Sequence, residues 1–251
     1  MLELSARPYY ELKPFLELFR TGVPILMYHK IGERPRGVRL KGLYVSAPNF
    51  VRQLEEFREA GFAACMPSEC LTDSSPSLRV VLTFDDGFCS VFENALEPLA
   101  QHGLRGLLFL VPNLIGKLNE WDLRDGEAPE PLMDHGQIRQ WLKAGHAIGS
   151  HTLTHARVTR LSVRDAREEI FASKKKLEDT FGVTVEHFCY PYGDWNEAVR
   201  DLVVEAGYRT ACTTAFGVNT PTTPPMALRR LAVRYPTRTL RSLKARLLGA
   251  E

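Results

Sequence analysis

The sequence predicts an α/β fold in which a parallel sheet curls into a single-domain (β/α) barrel. Short apolar runs alternate with amphipathic stretches along the chain, a pattern typical of parallel strands joined by right-handed helical crossovers. The chain has 251 residues, 44% of them hydrophobic, so it can bury the core of such a barrel. No internal repeat, low-complexity tract or clear linker divides it. We therefore expect one domain.

Before the barrel, residues 1–22 are predicted to form a helical extension of the main domain, which spans 23–251. Phe15 and Phe19 recur at helical spacing, although Pro14 requires a break or a late start of the helix. We expect the helix to pack over one end of the barrel. The alternative is a helix that lies on a membrane surface.

Seven apolar runs predict the strands of the barrel. In chain order these are residues 23–28, 78–84, 104–111, 147–149, 186–190, 208–213 and 228–233. Amphipathic stretches predict the helices, at residues 46–61, 90–102, 134–143, 162–181, 195–206 and 239–248. The polar segment 112–133, which contains Trp121, is long enough to be a functional loop.

Two adjacent carboxylates, Asp85 and Asp86, follow the apolar run that ends at Phe84. Like charges side by side resist ionising together unless a cation or hydrogen-bond donors stabilise them. Gly87 then lets the backbone turn into the next helix. The pair therefore suggests a metal site, and the alternative is that both carboxylates cap that helix.

Two histidines, His151 and His155, stand four positions apart after another apolar stretch. This spacing predicts that both imidazoles lie on one side of a helical turn. One carboxylate and two imidazoles suit zinc, with a position left for water. The alternative is a turn in which both imidazoles bond to the backbone.

Each of these groups follows a predicted strand, as do His29 and the segment 191–193. Barrel enzymes gather their active sites at the carboxyl ends of the strands. We therefore expect residues far apart in the sequence to meet in one pocket.

Composition sets limits on partners and location. The net charge of +2 implies no strong polyanion partner, so no nucleic acid is expected. The five cysteines form no Cys-x-x-Cys pair, which predicts reduced thiols rather than a zinc site. No apolar run approaches the ~20 residues that cross a bilayer, and no secretory signal is evident, so we expect no transmembrane segment and a cytoplasmic location. A shortened chain or an unusual export route would explain the same absence.

With Tyr190-Pro191-Tyr192-Gly193 following them, the Asp-Asp-Gly and His-x-x-x-His motifs resemble the polysaccharide deacetylase family, which shares the NodB homology domain (carbohydrate esterase family 4). The likeness covers residues 23–234. Asp-Asp-Gly alone is weakly diagnostic, whereas three motifs in the family's order are specific. The resemblance implies a distorted barrel, often short of eight strands, and we expect seven.

The resemblance also implies roles for the motif residues. We expect Asp86, His151 and His155 to hold a divalent metal, most simply Zn²⁺, and Asp85 to act as the base that takes a proton from water. The family uses the backbone of the third motif to hold the oxyanion, which places Tyr192 and Gly193 there. The alternative for that motif, a rigid turn, is compatible with this role.

The sequence departs from the family pattern because no histidine follows His187, whereas most members carry an acid histidine near the C-terminus. A subgroup related to poly-N-acetylglucosamine deacetylases instead has a Tyr-His pair near the start, which Tyr28-His29 matches. We therefore assign His29 as the general acid. The alternative is a buried structural histidine.

A second departure is Cys189, which stands where the family often has an arginine that steadies the base. Arg230, near the start of the last predicted strand, is the candidate to supply that cation from elsewhere in the chain.

The C-terminal segment is rich in basic residues. They are Arg229, Arg230, Arg234, Arg238, Arg241, Lys244 and Arg246. Leucines at helical spacing predict that this basic side faces solvent, and the alternative is peripheral contact with an anionic lipid or an acidic glycan.

The predicted function is a metal-dependent deacetylase that removes acetyl from N-acetylhexosamine units of a polysaccharide or oligosaccharide. A C–N hydrolase that acts on a small or lipid-linked amide would share every catalytic residue. An inactive glycan-binding module is the alternative from another class, against which the intact Asp and His motifs argue.

Overall fold

A computed structural model describes residues 8–72, 78–125 and 129–234. Within these ranges the strands are β1 (Val23–Tyr28), β2 (Lys30–Ile31), β3 (Tyr44–Val45), β4 (Ala63–Ala64), β5 (Arg79–Phe84), β6 (Gly106–Leu110), β7 (Ala147–Ser150), β8 (His187–Cys189), β9 (Thr210–Cys212), β10 (Val218–Asn219) and β11 (Leu231–Ala232). The α-helices are α1 (Leu16–Phe19), α2 (Ala47–Glu59), α3 (Glu69–Thr72), α4 (Cys89–Gln101), α5 (His135–Lys143), α6 (Val163–Phe181) and α7 (Glu197–Glu205).

Seven parallel strands form a curled sheet. Hydrogen bonding runs from β1 to β5 and on through β6, β7 and β8 to β9. Leu228 is bridged to Cys212 of β9, and the β11 strand that follows pairs with β1, so residues 228–232 connect the two ends of the sheet. The predicted single-domain, seven-stranded distorted barrel is confirmed.

Four short strands lie outside this ring. β4 pairs with the first residues of β5, β10 runs antiparallel to the start of β1, and β2 and β3 pair with each other in a small parallel sheet. The sequence did not predict β10, because two residues are too few to show a strand periodicity.

Apolar side chains fill the space on both faces of the central strands. All six residues of β1 and all five of β6 are buried, as expected for parallel strands covered on both sides. Alternation along β5 places Leu82 in the cluster shared with the helices and Val81 in a smaller second cluster, together with Ile25 and Leu107. The carboxyl ends of the strands are therefore held by packing on both sides.

The residues predicted to cap α5 and α6 do so in the structure. Asp134 caps α5 by accepting a hydrogen bond from the backbone N–H of Gln137, whose side chain accepts from the backbone of Asp134 in return. The Ser162 hydroxyl accepts from the N–H of Asp165 at the start of α6, and Gly182 ends that helix at φ +68°.

The N-terminal helix starts late, as the proline at position 14 predicted. A 3₁₀ turn spans Lys13–Phe15, and α1 follows it with Phe19 buried. Before the turn, Tyr9 forms an isolated parallel bridge to Val233. The late start follows from Pro14, which cannot donate to a preceding turn and is tolerated only in the first turn of a helix. The division into 1–22 and 23–251 stays a prediction.

The predicted helix 239–248 lies outside the described residues, as do the basic side chains beyond Arg234. Among the helices of the described ranges, none combines the length and the apolar character needed to cross a bilayer.

Candidate active site

A cavity of about 360 Å³ opens at the carboxyl ends of the barrel strands. The predicted site residues that line it are His29, Asp85, Asp86, His151, His155, Tyr192 and Arg230. Gly193 lies next to them in the 3₁₀ turn Pro191–Gly193. The fold thus brings together residues from four strand ends, as the sequence predicted.

Asp86 faces both histidines of the second motif. Its Oδ1 lies 3.4 Å from Nε2 of His151 and 3.3 Å from Nε2 of His155. All three side chains are buried, and one ligand atom from each can be chosen so that all lie within 4.8 Å of one another. The three groups therefore point at a common centre.

These residues fit a divalent metal ion. Oδ1 of Asp86 is buried and has no hydrogen-bond partner among the described residues. A buried carboxylate oxygen is costly unless a donor or a cation compensates it. One carboxylate oxygen and two imidazole nitrogens form a donor set that suits Zn²⁺ and neighbouring first-row ions.

A second group, formed by Asp85, His151 and Cys189, also brings three potential ligand atoms within 4.8 Å of one another. Both oxygens of Asp85, however, accept hydrogen bonds from the Arg230 guanidinium, which also donates to Cys189 Sγ at 3.1 Å. A guanidinium in that place repels a metal cation. The Asp86 group is therefore the better metal site.

The loop that carries the two histidines is not the helical turn that the sequence predicted. Residues 151–157 contain no helix, and both Thr152 and His155 adopt left-handed backbone angles, with φ of 64° and 65°. Two such residues end any helix of L-amino acids. Asp86 is also left-handed, at φ 76°. Conformations of this kind cost on the order of 1–3 kcal/mol each and persist where surrounding contacts enforce them.

A side chain from α6 contributes three hydrogen bonds to this loop. Glu169 accepts hydrogen bonds from the backbone N–H groups of Leu153 at 2.8 Å and Thr154 at 2.9 Å. Its other oxygen accepts from the Thr154 hydroxyl at 2.7 Å. One carboxylate thereby fixes the segment between the two histidines.

The orientation of His151 is set by β8. Its Nδ1 donates to the backbone carbonyl of Cys189 at 2.8 Å, which leaves Nε2 facing Asp86. A hydrogen bond of this type fixes both the tautomer and the ring plane of a metal-binding histidine.

Asp85 is held by a buried ion pair. Arg230 donates from Nη1 to Oδ1 at 2.7 Å and from Nη2 to Oδ2 at 2.8 Å, while its Nε donates to the carbonyl of Thr213 at 2.8 Å. Burial acts to raise the pKa of Asp85, but the Arg230 guanidinium outweighs it, and the pKa lies below its ordinary value. Arg230 is thus the cation that pairs with Asp85, and its support of a base stays a prediction.

The protonation of the three clustered groups is coupled. Burial acts to raise the pKa of Asp86, yet the imidazoles of His155 and His151 bring it well below its ordinary value. Burial acts to lower the pKa of His151, but contacts with Cys189 and Asp86 hold it well above that of a free imidazole. For His155 burial prevails, and its pKa is lowered. Asp86 is therefore ionised, as a metal ligand must be.

His29 also lies close to Asp85. Its Nε2 is 3.9 Å from Oδ2 of Asp85, and 18% of its side chain is exposed. Burial lowers the pKa of His29, although Asp85 and Asp86 act to raise it. The ring therefore stands within reach of both the Asp85 carboxylate and the cavity.

The third motif forms a tight turn over His155. Tyr192 has a left-handed backbone, with φ 61°, and its ring centroid lies 4.8 Å from that of His155. The N–H of Gly193 donates to the carbonyl of Tyr190, so it is already engaged. A Cβ at Gly193 would lie 2.2 Å from the hydroxyl oxygen of Thr214, which explains the glycine. The oxyanion role of Tyr192 and Gly193 stays a prediction, and the engaged N–H of Gly193 favours Tyr192 as the donor.

Two aromatic contacts complete the site. Trp121 stacks on His155 with ring centroids 4.3 Å apart, and the Arg157 guanidinium lies 3.6 Å from the centroid of the Tyr192 ring. The length of the segment 112–133 pointed to a functional loop around Trp121. No sequence pattern pointed to Arg157 or Glu169.

Comparison with known proteins agrees with the fold and the motifs. A family model described as polysaccharide deacetylase matches residues 73–211. The chain is 27% identical over 216 residues to YxkH of Bacillus subtilis, covering 84% of this chain and 71% of that protein. It is 26% identical over 139 residues to a chitooligosaccharide deacetylase of a Bradyrhizobium strain, covering 54% of this chain and 55% of that protein.

Among solved structures, the deacetylase PplD of Streptococcus pyogenes, in complex with acetate, superposes with a TM-score of 0.75. The match covers 88% of this chain and 96% of that one, at 21% identity. Identity at this level supports a shared fold.

Proposed function

This chain belongs to the polysaccharide deacetylase family, and we propose that it removes acetyl groups from N-acetylhexosamine units of an oligosaccharide or polysaccharide with the help of a divalent metal ion. As a member of that family it is a hydrolase of non-peptide carbon–nitrogen bonds. The Bradyrhizobium relative is named for an N-acetylated sugar substrate, which supports the same substrate class here.

The observation that carries the proposal is the convergence of Asp86, His151 and His155, whose potential ligand atoms lie within 4.8 Å of one another. Their donor set favours Zn²⁺ as the ion. A divalent ion held there supplies a Lewis acid that lowers the pKa of a water molecule and polarises the carbonyl of the acetyl group.

Asp85 is proposed to take a proton from the attacking water. Arg230 keeps its carboxylate ionised and fixes both oxygens, so the group is ready to accept that proton. Hydrolysis of an amide also requires a proton for the departing amine. His29, whose Nε2 lies 3.9 Å from Oδ2 of Asp85, is proposed to deliver it.

Tyr192 is proposed to place its backbone N–H where negative charge develops on the acetyl oxygen. One such donor typically contributes about 2.7–4 kcal/mol of transition-state stabilisation. The packing of Gly193 against Thr214 supports this role because it holds the turn in one conformation.

Acetate release from a panel of substrates tests the proposal. The protein would be stripped with a chelator, reconstituted with Zn²⁺, Co²⁺ or Mg²⁺, and incubated with chitooligosaccharides, N-acetyl amino acids and a lipid-linked acetamide. We expect acetate from the chitooligosaccharides, and only after metal is restored. Release from the small or lipid-linked amides alone would contradict the substrate class. Glycan binding without acetate release from the metal-loaded protein would indicate an inactive binding module.

A further inference from the structure

A groove of about 880 Å³ adjoins the catalytic cavity. The two share four lining residues, Trp121, His155, Arg157 and Tyr192. Because these residues form a common wall, a saccharide with one sugar beside Asp86 can continue over the Trp121 and Tyr192 rings into the groove. The groove is therefore placed to bind the sugar next to the one that reacts.

Two arginines and one glutamate line the groove, so it carries an excess of positive charge. Arg157 and Arg160 both line it, and neither forms an ion pair with a carboxylate within the described ranges. Glu120 lines the same groove without pairing with either arginine. Elsewhere on the surface, Arg167 is bound by Glu205 at 2.6 Å.

Arg157 is also held in place before any ligand arrives. Its guanidinium lies 3.6 Å from the Tyr192 ring centroid, and this stacking leaves its N–H groups at the edge of the plane available. Arg160 is exposed one turn further along the groove. An arginine restrained in this way loses less conformational freedom on binding an anion.

We propose that this groove binds an anionic sugar, one that bears a carboxylate or a phosphate, adjacent to the N-acetylated sugar in the catalytic cavity. Guanidinium groups bind both anions through paired N–H donors, and the Trp121 and Tyr192 rings provide apolar surface for the sugar itself. The inference rests on the deacetylase activity proposed above and adds the charge of the preferred substrate.

Three matched tetrasaccharides of N-acetylglucosamine test the proposal on the metal-loaded enzyme. The first is neutral, the second carries a carboxylate at C6 of alternate sugars, and the third carries a phosphate there. We expect kcat/KM for acetate release to be roughly tenfold higher for at least one charged substrate than for the neutral one, equivalent to about 1.4 kcal/mol. The carboxylate and phosphate arms show which anion is bound. The preference should shrink as salt screens the charges.

Two variants test whether the preference for charged substrates depends on the groove. Arg160→Gln should lower the charged-to-neutral ratio of kcat/KM, and Arg157→Gln should lower it further. Arg164→Gln, on the exposed side of α6, is the matched control and should keep the wild-type ratio. Equal turnover of all three substrates by the wild type would overturn the inference. A preference for charged substrates that persists in both groove variants would also overturn it. Either result would leave the deacetylase activity unaffected. No acetate from any substrate would instead refute the activity, and the inference with it.

Discussion

Arg230 and Asp85 form a buried, two-pronged ion pair, with Nη1–Oδ1 at 2.7 Å and Nη2–Oδ2 at 2.8 Å. They lie 145 positions apart in the sequence, and both side chains are at most 3% exposed. The pair joins the residue just before β11 to the carboxylate that we propose as the base.

Replacing Arg230 by lysine tests this pair. Lysine keeps the charge but cannot donate to both oxygens in one plane, so Asp85 should be misplaced and its pKa should rise. We expect kcat for acetate release to fall by about 10- to 100-fold and the acidic limb of its pH profile to move to higher pH. The measurement is kcat as a function of pH.

Arg229→Gln is the matched control for that variant, since Arg229 is adjacent in sequence but exposed. It should behave as the wild type. Unchanged turnover and an unchanged pH profile in Arg230→Lys would remove Arg230 from the mechanism.

His29→Gln separates an acid from a structural histidine. The side chain reaches the cavity but does not face the metal-binding group directly, so metal content should stay at the wild-type level. Loss of a general acid typically lowers turnover by about 10²- to 10⁴-fold. Metal analysis and acetate release on the same sample give both values. Normal turnover would favour the structural alternative.

Glu169→Ala tests how the histidine loop is positioned. The variant removes both carboxylate oxygens, which accept from the N–H groups of Leu153 and Thr154 and from the Thr154 hydroxyl, so the left-handed loop loses its support. We expect metal affinity to fall by about 10- to 100-fold, the usual effect of removing a group that orients metal ligands. Metal titration measures it.

The control for that experiment is Glu168→Ala, which makes the same chemical change at an exposed neighbour. It should bind metal like the wild type. Equal affinities in the two variants would show that the loop holds its shape without Glu169.

His146 should make stability depend on pH. Its Nδ1 accepts a hydrogen bond from the N–H of Gly106 at 3.3 Å, and burial, with nearby Arg105, lowers its pKa to about 4. The unfolded chain, with a histidine pKa of about 6.5, therefore binds a proton that the folded chain does not between those two pH values. The free energy of unfolding should fall by up to about 3 kcal/mol as the pH drops through this window.

His146→Asn keeps an acceptor near the same place and cannot titrate there, so part of that slope should vanish. Urea unfolding between neutral pH and pH 4.5 would measure it. An identical slope in both proteins would mean that other groups cause the pH dependence.

The sequence alone predicted the site residues that follow the ends of barrel strands. His29, Asp85 and His151 each follow a run of apolar residues, and a parallel barrel brings such positions to one face. Cys189 stands where the family often has an arginine, which indicated that another part of the chain supplies the cation. In the structure that cation is Arg230, just before β11.

What the sequence did not predict depends on contacts distant along the chain. The spacing of His151 and His155 suggested a helical turn, but Glu169 holds the segment between them in an irregular loop. Likewise, Cys189 orients His151 through its backbone carbonyl, which no pattern of side chains can reveal. Local spacing could identify the ligands but not the conformation that presents them.

The central claim is that Asp86 and the two histidines hold the metal while Asp85 performs chemistry beside it. Metal content and acetate release, measured together in Asp85→Asn and His151→Ala, test it most directly. The account predicts that Asp85→Asn keeps its metal and loses turnover, whereas His151→Ala loses both. Equal loss of metal in the two variants would contradict this division of roles.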